Sequence, residues 1–306
     1  MAKFKLIDKQ KSTYHSLNFE KYLQEIDDMK YQYSKNIDID ISKDEEFSND
    51  FIFIDMTINQ LLLISKSMNF LIENDIKCIF KKEREPKFSI ENVIQVLVDN
   101  LSNTLWIIRD LLAKGADYQA KILFRTFIEM QDLLIANLGS YDFFNKYTKT
   151  YNNDDAFLDF SKNWFDNIRP KKLSSTINRV YNEILKNKNY RVILSSLKKS
   201  NYQWLSLYTH GHFNTLQISK VIFDKNGETS LNNKYCSPDF KIVFTLNKLI
   251  LHSGMSIQII FKLLNSQHKL KNFLSDDLIK ENDKKNQIYT DILFKNLEYL
   301  LENEKR

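Results

Sequence analysis

Tight chain reversals draw on glycine and proline, and this chain has few of either: 5 Gly and 3 Pro in 306 residues. An all-β fold or a glycine-lined nucleotide loop needs more turn chemistry than that, so the chain is expected to run in long helices joined at few points. Apolar residues at 43% and charged residues at 27% are ordinary for a globular chain and exclude collagen-like, disulfide-scaffold and wholly disordered classes. The periodicity agrees. Ile94, Leu97, Val98, Leu101, Leu105, Ile108 and Leu112 recur at three- and four-residue steps, the signature of one buried helical stripe. Ser89 is the candidate N-cap of that helix, and Lys114-Gly115 supplies a left-handed C-terminal stop. Residues 117–138 form the next helix, closed by Gly139, and the short turn between the two implies antiparallel packing.

Further helices are expected over 51–80, 141–168, 174–186, 202–223, 240–264 and 287–301, with a looser one at 17–33. Residues 36–50, with six acids against Lys43, read as a solvated connector, and 225–238 read as a polar loop turning at Asn226-Gly227. The expected architecture is an all-α, multi-helix bundle: an N-terminal helical extension (1–85), a central bundle (86–270) and a C-terminal helix (271–306).

The net charge of +5 is too small to imply a nucleic-acid partner by itself. Its distribution says more. Between Arg169 and Lys199 nine basic residues face only Glu183, while the rest of the chain sums to −3. Such a local field attracts phosphates even on a nearly neutral molecule, and Lys171, Lys172, Lys198 and Lys199 are its candidate backbone contacts. Cys78 and Cys236 stand far apart with no CxxC, which reads as thiols of a reducing compartment. The first ten residues lack a signal-peptide pattern, and the apolar stretch 244–264 is interrupted by Asn247, Lys248, His252 and Gln258. A cytoplasmic protein with no membrane association is expected.

Two polar constellations interrupt the apolar pattern. Arg125 and Glu129 lie four apart on a helix whose neighbours are Ile122, Phe124, Phe127, Ile128 and Met130. Desolvating such a pair costs several kcal/mol per ion, so it is expected to be an internal clamp between helices, part of a site at the bundle centre, or a pair left half-exposed. The second is Tyr202–Phe213, which holds Ser206, Tyr208, His210 and His212. On a continuous helix His210 and His212 point about 160° apart, so a single site takes one of them. That spacing is wrong for a helical metal pair, and neither a metal nor a cofactor is expected. Imidazole does suit acid–base work near neutral pH. There is no HExxH, no dinucleotide fingerprint and no G-x-S-x-G elbow.

Gly115-x4-Ala120-x2-Leu123-x-Arg125-x3-Glu129, followed by Leu205-Ser206-x3-His210-Gly211, resembles a widespread bacterial helical domain of unknown function related to the HEPN superfamily. The resemblance spans about Glu91 to Leu264. It implies an all-α bundle and a homodimer. It also implies a nucleic-acid-directed effector, RNase-like, acting on RNA or with a protein partner in a defence or toxin–antitoxin type system. On the matching positions Arg125, Glu129 and His210 would be catalytic, with Ser206, Tyr208 and His212 beside them on the substrate side. The superfamily's nuclease signature sets an arginine four to six residues before the histidine. Trp204, Leu205 and Ser206 occupy those places here, so Arg125 would supply the cation from another helix. The competing expectation is a non-catalytic interaction or sensor protein in which Arg125, Glu129 and His210 form a structural cluster.

Overall fold

The helix at the centre of the sequence begins where its capping chemistry says it should. Ser89 has extended backbone and its hydroxyl accepts the Asn92 amide at 3.3 Å, which satisfies one of the donors that a helix start leaves open. At the far end Gly115 takes φ 78°, the left-handed geometry that glycine adopts without strain. The computed structural model describes residues 40–45, 47–81, 89–148, 161–163, 166, 168–186, 188–210, 221–223, 229–231 and 241–303. The helices among them are α1 (Ser48–Glu73), α2 (Ile90–Ala113), α3 (Asp117–Gly139), α4 (Tyr141–Thr148), α5 (Pro170–Ile184), α6 (Lys188–Thr209), α7 (Lys241–Lys262) and α8 (Asp276–Asn303). A short antiparallel hairpin, β1 (Val221–Phe223) with β2 (Thr229–Leu231), lies between α6 and α7. The fold is an all-α multi-helix bundle.

α3 is the inner rod. It touches α2, α4, α5, α6 and α7, and Ala120, Phe124, Phe127, Ile128, Leu134 and Leu138 along it are fully buried. Its side-chain partners fix the direction of its neighbours. Arg125 meets Ser206 and Asp132 meets Lys198, so α6 runs antiparallel to α3. Asp117 meets Thr245 and Phe124 meets His252, so α7 runs parallel to it. α1 and α2 pair antiparallel, tied by a two-pronged Arg109–Asp55 ion pair (2.9 and 3.2 Å) and by Ser65 donating to Asp99 at 2.6 Å. α8 closes over α1: Asn282 donates to Ser67 at 3.1 Å, and the Tyr289 hydroxyl meets Thr57 at 2.9 Å while its ring stacks on Phe53. One hydrophobic core therefore crosses the expected divisions at residues 85 and 270.

Several boundaries differ from the expected ones, each for a local reason. Apolar spacing carries α1 to residue 80, yet it stops at Glu73. Asn74 donates back to the Phe70 carbonyl at 2.8 Å, and Asp75 and Phe80 adopt left-handed φ of 49° and 51°. The apolar residues after the stop, Ile76, Cys78, Ile79 and Phe80, pack as a loop. The buried Glu91 carboxylate accepts the Cys78 and Ile79 amides, and His268 accepts the Phe80 amide. α5 opens at Pro170, ahead of the expected 174, where a missing N–H costs nothing. α6 starts at Lys188 and ends at Thr209, well before residue 223, and the polar loop at 225–238 contains β2. α8 starts at Asp276, ahead of the expected 287. The expected helix at 17–33, most of the region after α4, the Asn226-Gly227 turn and Cys236 lie outside the described residues. α1 is long and apolar enough to cross a membrane by composition, but most of its apolar window is buried inside the bundle.

Candidate functional site

Residues 202 and 206 on α6 and 210, one past its end with its amide still bonded to the Ser206 carbonyl, are spaced at one helical turn, so they form a single stripe facing α3. The guanidinium of Arg125 meets that stripe. Its Nη1 donates to Ser206 Oγ at 3.1 Å and lies 3.4 Å from His210 Nε2. Its Nη2 donates to the Tyr202 hydroxyl at 2.9 Å, and its Nε donates to Glu129 Oε1 at 3.3 Å. The Tyr202 hydroxyl in turn donates to Glu129 Oε1 at 3.1 Å, and the guanidinium carbon sits 4.6 Å from the Tyr202 ring centre. A guanidinium cannot accept a hydrogen bond, so in this arrangement His210 Nε2 is the acceptor and the imidazole proton belongs on Nδ1. Burial, and next the Glu129 charge, push the Tyr202 phenol above its usual range, so it remains a protonated donor at neutral pH.

Arg125, Glu129, Ser206 and His210, remote in the sequence, thus meet. They do so on a half-exposed shelf: the Arg125 side chain keeps 15% of its surface accessible and Glu129 29%, and His210 is exposed at the end of α6. The remaining expected residues are placed differently. Tyr208 is turned by its position on α6 away from this stripe. Its ring lies edge-on to Tyr118 and Trp204, with Lys121 Nζ 4.6 Å above it. Lys198 is paired with the buried Asp132 at 2.7 Å and so faces the interior, not a polynucleotide. Burial still raises the Asp132 carboxyl, against the lowering effect of Lys198. Lys172 and Lys199 are exposed. His212 lies outside the described residues, as does the side chain of Lys171. Within the basic segment Arg179 donates to Ser140 at 2.6 Å and Arg191 to Asn182 at 2.9 Å, so part of the positive charge already has polar partners.

Tyr202 is the member of the cluster that sequence reasoning missed. Its signal was present, four residues before Ser206 and eight before His210 on a helix already expected from residue 202, but spacing alone does not tell which face of that helix meets Arg125. A second polar group sits beside the first. Lys121 is buried in an ion pair with Asp117, and Thr245 donates to the same carboxylate. Lys248 lies 4.7 Å from the Phe244 ring centre and 5.6 Å from that of Trp204, and donates to the buried Asn201 at 3.2 Å. These contacts bind α3, α6 and α7 into one unit behind the shelf. Among the described residues no cluster of three or more His, Cys, Asp or Glu could hold a metal ion. Comparison of the chain with family models, with characterised proteins and with solved structures finds no match in any of the three.

Proposed function

We propose that this chain is a nucleic-acid-directed effector, RNase-like, of a bacterial defence or toxin–antitoxin type, acting in the cytoplasm and as a homodimer. The observation that carries the reading is the 3.4 Å approach of Arg125, on α3, to His210, at the end of α6, on a half-exposed shelf. Metal-free cleavage of RNA needs a base for the 2′-hydroxyl, a cation for the phosphate, and a proton for the 5′-oxygen that leaves as the P–O5′ bond breaks and the 2′,3′-cyclic phosphate forms; solvent water would supply that proton on the exposed edge of the shelf. A phosphodiester entering between the two side chains would take over the Arg125 N–H that points at His210. It would thereby free Nε2 to accept the hydroxyl proton. Arg125 would stabilise the charge that builds on the phosphate. Glu129, Tyr202 and Ser206 hold the guanidinium in place, and Lys172 and Lys199 are cations available to the backbone.

The test is to incubate the protein and its His210→Ala and Arg125→Lys variants with total RNA and follow the products. The expected result is cleavage by the unaltered chain and a rate lower by about 100- to 10,000-fold in His210→Ala, the usual contribution of a general base. Identical RNA profiles for all three proteins would remove the enzymatic reading. RNA binding without cleavage would still show affinity that falls steeply as salt rises.

One observation favours a second, non-catalytic reading. Arg125 already makes three contacts that reach from α3 to the 202–210 stripe, as an interhelical strut would. In that reading the chain is an interaction or sensor protein. The Arg125→Met, Glu129→Leu double variant then folds and keeps its partner binding, since an apolar pair of similar volume replaces a strut at little cost. Loss of all biological activity in a folded double variant would count against the strut.

A further inference from the structure

The residues that follow α5, the N-terminal half of α6, the C-terminal half of α7 and α8 line a groove of about 560 Å³. This is within the range of about 300–1,000 Å³ typical of small-molecule sites. Its walls are apolar: Leu185, Leu194, Met255, Ile259, Leu293 and Phe294 face it. Phe294 keeps 44% of its surface accessible, an exposure that water does not favour for a ring of that size. A π-helical turn, Leu263–Gln267, follows α7 and contributes Asn265 and Ser266 to the lining. Single π-helical turns are rare and recur at functional sites.

The charge on the lining has one sign. Lys186, after α5, and Lys262, at the end of α7, are its only charged residues, both are exposed, and neither has an acidic partner among the described residues. Gln258 is held by Thr290 at 3.0 Å and by Asn286 at 3.5 Å, so the polar part of the wall is pinned between α7 and α8. An apolar trough with cations at its edge matches a molecule with an apolar tail and an anionic head. We infer that this groove binds a medium-chain fatty carboxylate, its tail along Leu194, Met255 and Ile259 and its head at Lys186 and Lys262. The site is separate from the Arg125 shelf. Leu194 and Ser206 are both on α6, and at 1.5 Å per residue they lie about 18 Å apart along its axis. The inference therefore stands or falls independently of any action on RNA.

The experiment is calorimetric titration of the full chain with dodecanoate and, separately, with 1-dodecanol, which has the same tail and no charge. Two variants accompany it: Lys186→Glu with Lys262→Glu, which alters only exposed side chains, and Met255→Trp, which fills the trough. The expected result is saturable one-to-one binding of dodecanoate, with dodecanol weaker. The double glutamate variant should lose about tenfold in affinity for dodecanoate while its affinity for dodecanol is unchanged, as two exposed head-group contacts would give. Met255→Trp should weaken both ligands. Titration with vesicles of an anionic phospholipid separates the sources of the tail: no vesicle binding supports a free carboxylate, and vesicle binding stronger than dodecanoate binding overturns it in favour of a lipid surface. Absence of saturable dodecanoate binding, or equal affinity in the unaltered chain and both variants, also overturns the inference.

Discussion

At the scale of single residues, the interior of this bundle holds two histidines that cannot easily charge. His252 is buried between α3 and α7, and burial, reinforced by the nearby Lys198 cation, pushes its pKa down to about 3. His268 is held below the usual histidine range chiefly by burial; its Nδ1 accepts the Phe80 amide at 3.3 Å and its Nε2 meets the Leu138 carbonyl at 2.7 Å. In the unfolded chain both take up a proton near pH 6.5. Below that pH the unfolded state binds more protons than the folded one, so stability falls as pH drops. The slope is about 1.4 kcal/mol per pH unit for each histidine that stays neutral. Asp132, whose carboxyl is raised by burial, works in the opposite direction at lower pH. Urea unfolding midpoints measured from pH 7.5 to 5 should decline below 6.5, and His252→Gln should reduce the slope by close to one proton. A flat profile across that interval would contradict the burial of both rings. The same scale shows how much of the shelf was legible. Arg125 and Glu129 stand out because a charge pair inside an apolar helix demands an explanation, and His210 because its chemistry is distinctive. Tyr208 is set apart from them by spacing alone, two residues from both Ser206 and His210, whereas the turning of Lys198 toward Asp132 depends on how α6 packs on α3.

At the scale of elements, the readable boundaries are those written in local chemistry. The Ser89 cap and the Gly115 stop set α2, and the same stop with Gly139 sets the limits of α3. The unreadable ones depend on distant partners. α1 ends at Glu73 while its apolar pattern continues, because Glu91 and His268 supply hydrogen bonds to the loop that follows. The hairpin strands are three residues each, too short for an alternating pattern to register. Gly139 also has a role that its place at a helix end conceals. A methyl group there would stand 2.8 Å from Val180 Cγ1 and closer still to Cγ2, so α3 and α5 approach at a point where any side chain is an obstruction. Gly139→Ala is expected to destabilise the protein by about 1–3 kcal/mol through overpacking. Val180→Ala in the same chain should recover part of that loss, a non-additivity that a double-mutant cycle in urea would reveal. Simple addition of the two single effects would mean that the helices do not meet there.

At the scale of the whole molecule, the expected division into extension, bundle and terminal helix does not coincide with the packing. α1 lies before residue 85 and α8 after residue 270, yet Phe53 stacks on Tyr289, and both belong to the core that α3 centres. Composition identified a helical protein because scarcity of turn residues constrains every part of it at once. It did not identify which helices share a core, because that depends on contacts such as Thr57 with Tyr289, 232 residues apart. The position of α3, hemmed in by five other helices, has a kinetic corollary. Amide hydrogens along residues 120–138 reach solvent only when the entire assembly opens, whereas those of loops and peripheral turns exchange through small local fluctuations. Deuterium uptake should therefore be slowest in that peptide, with a protection free energy equal to that of global unfolding; faster uptake there than in α8 would show a looser interior. A guanidinium projecting from the slowest-opening stretch of the chain keeps its aim for as long as the protein stays intact.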